Sequence, residues 1–95
     1  MASLEGIYNF IEDVNEQLEV STARVVPILE GRKRYLNVWF KCINRHITLE
    51  ELQKLKEIAK NYGEVVEVGV YLTTECDVSR LDVLVKFRIK GDGNG

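Results

Sequence analysis

Cysteine, histidine, proline and tryptophan are all scarce in this chain of 95 residues, which holds two Cys, one His, one Pro and one Trp. Two cysteines, Cys42 and Cys76, do not make a disulfide framework. With His46 as the single imidazole and no Cys-x-x-Cys, a transition-metal site lacks its usual ligands. The carboxylates are dispersed, without the alternating oxygen-ligand loop of a calcium site. No metal and no cofactor are therefore expected. There is no Gly-rich phosphate loop and no Ser or Cys nucleophile with an evident His partner, so the chain reads as a non-enzyme. No apolar run approaches the roughly 20 residues that span a bilayer. The first residues show no basic region followed by an apolar stretch. The expectation is a soluble cytoplasmic protein without a membrane partner. A basic excess is missing too: 13 Lys and Arg face 15 Asp and Glu, for a net charge of −2. That argues against a bulk polyanion binder, which draws on clustered cations.

What is present is a globular pattern, 45% hydrophobic and 29% charged. Apolar residues at Leu4, Ile7, Ile11, Val14 and Leu18, widened by Phe10, lay one stripe along a helix with Ser3 as its N-cap. A second helix starts at the capping box Thr48-Leu-Glu-Glu51. Its stripe runs Leu49, Leu52, Leu55, Ala59 and Tyr62, and Gly63 is its expected C-terminal cap. Each helix is followed by two β runs. The first pair covers residues 20–29 and 35–43, joined by the turn 30–34; the second covers 65–73 and 81–89, joined by 74–80. A polar, Gly-rich tail at 91–95 is expected to be disordered, leaving one domain over 1–90.

Residues 3–44 and 48–89 align without a gap at an offset of 45. Identical pairs are Leu4/Leu49, Glu5/Glu50, Glu12/Glu57, Glu19/Glu64, Val20/Val65, Val25/Val70, Glu30/Glu75, Leu36/Leu81, Val38/Val83 and Lys41/Lys86. Average residue usage would give about three. The reading is a duplicated αββ unit. Hairpins joined by a right-handed crossover then give an α+β two-layer sandwich, αββαββ, with a four-stranded antiparallel-type sheet and two helices on one face. This looks like the ferredoxin-like architecture circularly permuted. Pro27 falls in a predicted edge strand, where proline is tolerated.

Alternation divides the central strands into two faces. Leu36, Val38, Phe40 and Cys42, with Leu81, Val83, Val85 and Phe87, form the apolar face for the helices. The opposite face carries Tyr35, Asn37, Trp39, Lys41 and Ile43, with Arg80, Asp82, Leu84, Lys86 and Arg88. Edge strands add Thr22, Arg24, Val26, Glu67 and Tyr71. Trp39 and Leu84 occupy equivalent positions flanked by the equivalent Lys41 and Lys86, so this face mixes an apolar centre with cations.

Two binding functions follow. The first is an interaction module that forms a homodimer or binds a protein partner through the open face or an edge strand. The candidate residues are Trp39, Lys41, Leu84, Lys86, Arg88, Arg24 and Tyr71. The alternative is single-stranded or duplex nucleic acid, with bases on the aromatic ring and phosphates on Lys and Arg. The basic turn Arg32, Lys33 and Arg34 would assist in that case. RNA-recognition domains use the open face of a ferredoxin-like sheet in this way, with more aromatics than the single central Trp39.

Two further resemblances share pattern only. The αββαββ order is similar to the duplicated core of LAGLIDADG homing endonucleases, with Phe10-Ile-Glu-Asp13 echoing that motif. Bulky Tyr8, Asn9 and Phe10 stand where that family packs small residues. Ile47-Thr-Leu-Glu-Glu51 looks like the corresponding turn in the cytoplasmic domain of cation-diffusion facilitators, but Leu52 and Gln53 replace the expected metal-binding histidine. Neither family is assigned.

Overall fold

The structure, a computed structural model, describes residues 4–18, 20–42, 47–76 and 78–89. Expectations for Ser3, Ile43, His46 and the tail 91–95 lie outside the described residues, as do those for the side chains of Leu4, Thr22 and Cys42. The elements run α1 (Leu4–Gln17), β1 (Ser21–Glu30), β2 (Lys33–Cys42), α2 (Leu49–Lys60), β3 (Glu64–Glu75) and β4 (Val78–Ile89). The class is α+β, with two helices and a four-stranded antiparallel open sheet. Strand order is β1-β2-β4-β3, so the second strand of each hairpin is central and Pro27 sits on an edge.

The helical spacing does what its stripe dictates. Ile7, Phe10, Val14 and Leu18 from α1 join Leu55, Ile58 and Ala59 from α2 in one buried cluster with Val38, Phe40, Val83, Val85 and Phe87. All five strand residues come from one face, so both helices pack there. Phe10 occupies the centre. Its ring lies edge-on to Phe40 at 5.8 Å and to Phe87 at 5.1 Å, and tilted against Tyr62 at 5.8 Å. Edge-to-face pairs of this kind add to the area term. Asp13, on the flank of α1, accepts hydrogen bonds from the Tyr62 hydroxyl at 2.9 Å and the Gln17 amide. The first of these ties the end of α2 to α1. The hydrogen bond to Asp13, with desolvation and the nearby Asp13 and Glu16 charges, raises the Tyr62 phenol above its ordinary value of 10.0.

The capping box at the start of α2 forms as the sequence indicates. Glu51 N donates to Thr48 Oγ1 at 3.1 Å, and Thr48 N donates to Glu51 Oε1 at 3.0 Å. Its other end differs from expectation. The cap is Asn61 in the right-handed region, and Gly63 has no positive φ. Asn61 N bonds Ile58 O and Tyr62 N bonds Ala59 O, a tightened last turn that satisfies the carbonyls a glycine cap would otherwise serve.

Both hairpins are tighter than the polar segments 30–34 and 74–80 suggested. Glu30 pairs with Lys33 and Glu75 with Val78, so the first loop is only Gly31–Arg32 and the second is as short. The reason is that ladder bonds come from the backbone, so Lys33, Arg34, Ser79 and Arg80 extend the strands while their side chains reach water. Gly31 opens its loop at φ 64, as a primed hairpin turn requires. Cys76, at the matching place in the second loop, takes φ 51 without being glycine.

Each edge strand carries a register shift, between Thr22 and Arg24 in β1 and between Val65 and Glu67 in β3. The first puts Ser21, not Thr22, opposite Lys41. Beyond these shifts the pairs from Arg24/Trp39 to Glu30/Lys33 recur 45 positions later, from Gly69/Leu84 to Glu75/Val78.

Strands of 10 to 12 residues run about 35–40 Å, whereas helices of 14 and 12 residues cover about 20 Å. The hairpins outrun the helices and their ends stay uncovered, which is why Leu29 and Leu72 are exposed. Among the described residues no helix is long and apolar enough to cross a membrane.

Candidate functional site

The face away from the helices is best described in rows across β1, β2, β4 and β3. The central row is Arg24, Trp39, Leu84, Gly69. Trp39 is the direct cross-strand partner of Leu84, so the two residues at offset 45 meet at the middle of the sheet. On one side lies the row Val26, Asn37, Lys86, Glu67; on the other, Lys41, Asp82 and Tyr71, followed by Arg80 and Thr73.

Gly69 shapes this surface by having no side chain. Tyr71 folds back along its own strand, with Cε2 3.1 Å from where a Gly69 Cβ would stand. It donates to Glu67 Oε2 at 2.7 Å, and its ring centroid is 5.4 Å from that of Trp39. The ring therefore spans from Gly69 towards Trp39, across the position of Leu84. Leu84 is only 5% exposed, although it lies on the open face. The Glu67 acceptor, followed by desolvation and the Glu67 charge, holds the Tyr71 phenol above its usual value. From the other side the Arg24 guanidinium sits 5.1 Å from the Trp39 ring, a cation–π contact.

Beyond this aromatic pair, Asp82 is the buried charge of the face, at 6% exposure. Arg80 Nε donates to its Oδ1 at 2.9 Å and Thr73 Oγ1 to its Oδ2 at 3.1 Å. A carboxylate so enclosed needs such partners to offset its lost hydration. Together these residues wall a concavity of about 460 Å³, lined by Arg24, Trp39, Lys41, Tyr71, Thr73, Thr74, Arg80 and Asp82. Three cations face one carboxylate beside two aromatic rings.

Arg24, Trp39, Lys41 and Tyr71 from the sequence-derived set thus converge, with Leu84 packed among them. Lys86 and Arg88 do not. Lys86 Nζ lies 3.6 Å from Glu30 Oε2 and 4.4 Å from the Tyr35 ring centroid, and Arg88 is exposed between Tyr35 and Glu64 in the register. The neighbouring Asn37 buries its Oδ1 without a hydrogen-bond partner. The basic turn is also separate. Arg32, Lys33 and Arg34 are all exposed, at the hairpin end far from the concavity. Only Arg32 is in the loop, and strand alternation sends Lys33 and Arg34 to opposite faces.

Arg80, Asp82, Thr73 and Thr74 were not among the residues marked for binding. Arg80 and Asp82 were visible on the open face, but only the hairpin register places Thr73 and Tyr71 beside them. Among the described residues no three His, Cys, Asp or Glu side chains group as metal ligands. No protein-family model matches the chain, and neither a curated protein nor a solved structure matches it.

Proposed function

We propose that this protein is a non-enzymatic binding module that takes single-stranded nucleic acid on its open sheet face. The observation that supports it most is the concavity of about 460 Å³, where Arg24, Lys41 and Arg80 surround Trp39 and Tyr71. Aromatic rings next to cations suit a base and its phosphate together, and a ring can stack only on a base that is not already stacked and paired in a duplex. The overall charge of −2 does not oppose this, since the local balance at the concavity is cationic. Labelled single-stranded and duplex oligonucleotides, titrated at low and moderate salt, test the proposal. Salt-sensitive binding with a single-strand preference is expected; no salt-sensitive binding of either refutes it.

A protein-partner reading draws on a different surface. Leu84 has little area left to offer a dimer seam on the open face, but Leu72, Val66 and Leu49 are 71%, 48% and 80% exposed along edge strand β3 and the start of α2. A shallow groove of about 320 Å³ runs between those elements. An edge strand with adjacent apolar side chains is suited to strand addition or self-association. Light scattering on wild type, Trp39→Ala and Leu72→Ser checks this: a monomer throughout removes self-association.

For the architecture, we read the sandwich as a permuted ferredoxin-like fold made from two copies of an αββ unit. The strand order β1-β2-β4-β3 and the recurrence of hairpin pairs 45 residues apart support that reading.

A further inference from the structure

The two ends of the open face can be compared position by position, because the hairpin registers coincide at an offset of 45. At the concavity stand Arg24, Tyr71, Thr73, Arg80 and Asp82; the corresponding places at the other end hold Gly69, Val26, Ile28, Tyr35 and Asn37. Two guanidinium groups and the carboxylate that anchors one of them have no counterpart. The cation the ends share is lysine, and it is differently engaged. Lys86 sits against Glu30 and the Tyr35 ring, whereas Lys41 lines the concavity.

We infer, on the basis of the nucleic-acid reading, that the face binds at this one end and takes a single nucleotide unit of a strand. The base lies against the Trp39–Tyr71 pair and the phosphate meets Arg24 and Lys41, with Arg80 held behind them by Asp82. A volume of about 460 Å³ lies in the lower part of the range for small-ligand sites, enough for one unit rather than a run of stacked bases. A strand-wide platform would need cations gathered around aromatic rings at both ends. At the other end the described cations are spread out: Lys86 lies beside Glu30 and the Tyr35 ring, Arg88 stands across from Tyr35 and Glu64, and Lys33 lies at the hairpin end.

Trp39 is the sole tryptophan, so its emission reports the site directly. Thymidine 5′-monophosphate, the dinucleotide and longer oligothymidylates are titrated into wild type, Lys41→Ala and Lys86→Ala at several salt concentrations, with circular dichroism verifying the fold of each. Affinity should change little beyond the mononucleotide. Lys41→Ala should weaken binding about tenfold and flatten the salt slope by about 0.7, the contribution of one phosphate contact on a single strand. Lys86→Ala should stay within about twofold. Affinity that climbs steadily with length, with equal losses in both variants, overturns the one-ended site while leaving nucleic-acid binding in place. A folded wild type that binds none of the probes overturns both.

Discussion

Asp82 is where the stability of the sheet and the charge of the site oppose each other, and Asp82→Asn separates them. The carboxylate is 8% exposed at its side chain and holds Arg80 at 2.9 Å and Thr73 at 3.1 Å. An amide still accepts from Arg80 Nε, but without charge, and its NH2 can donate to Thr73 Oγ1 only if that hydroxyl turns away from its present bond. A hydrogen bond to a charged group contributes about 1.5–3 kcal/mol and a neutral one about 1 kcal/mol. Halving the first and disturbing the second costs about 2 kcal/mol. Relief of carboxylate desolvation, and the access of Arg80 to water at 24% side-chain exposure, return part of it. The net expectation is a loss of about 1–2 kcal/mol, a drop of roughly 4–16 °C in Tm for a domain of this size. Urea unfolding followed by Trp39 emission measures it, and an unchanged m value shows that both states keep their extent. The same substitution removes the only carboxylate among the described residues that line the concavity, so oligonucleotide affinity should rise while stability falls. Unchanged stability refutes the reasoning about the buried carboxylate. Reduced affinity in a folded Asp82→Asn protein refutes the electrostatic account of the site.

Phe10→Ala, which empties a fully buried site among three other rings, should cost about 3–5 kcal/mol by urea denaturation, and a loss under about 1 kcal/mol contradicts the packing described. Cys76→Gly relieves a left-handed residue at φ 51 and should stabilise by about 0.5–1 kcal/mol, after allowance for the extra freedom glycine has when unfolded. A destabilised variant would show that the thiol side chain makes contacts of its own. Tyr62 has a raised folded pKa, so its contribution is fully present below the unfolded value of 10.0 and is lost as pH climbs through the folded one. Wild type should therefore lose more stability than Tyr62→Phe across the interval above pH 10, as read from denaturation midpoints; parallel curves would sink this assignment.

Much of this fold was legible because the burial period is written in residue type. Ile7, Phe10, Val14 and Leu18 recur at helical spacing, and Val83, Val85 and Phe87 at strand spacing, and each set meets the core it implies. Thr48 to Glu51 announced a helix start through side chains that bond specific backbone groups. Loop lengths were less legible, since Lys33, Arg34 and Arg80 look like turn residues yet serve as strand residues wherever their backbone is paired. The register shift in β3 did leave a trace: Val65 and Val66 are adjacent, and the inward series resumes at Val68, a step of three instead of two. At the site, the cations and Trp39 were readable from alternation. The partnership of Asp82 with Thr73 was not, because it depends on cross-strand register and not on either strand alone.

The long-range ladder between β2 and β4 has a consequence for how the molecule assembles. Each hairpin closes on itself through near neighbours, but Trp39 and Leu84 meet only after a chain of 45 residues has been looped back. That closure entropy is offset only by the docked sheet and its core. Arg24, Trp39 and Lys41 belong to the first hairpin, and Tyr71, Arg80 and Asp82 to the second. The concavity is therefore absent from any species in which the hairpins have formed but not joined. A ligand bound there would bridge the two hairpins, and its binding free energy would stabilise the whole native state rather than either half.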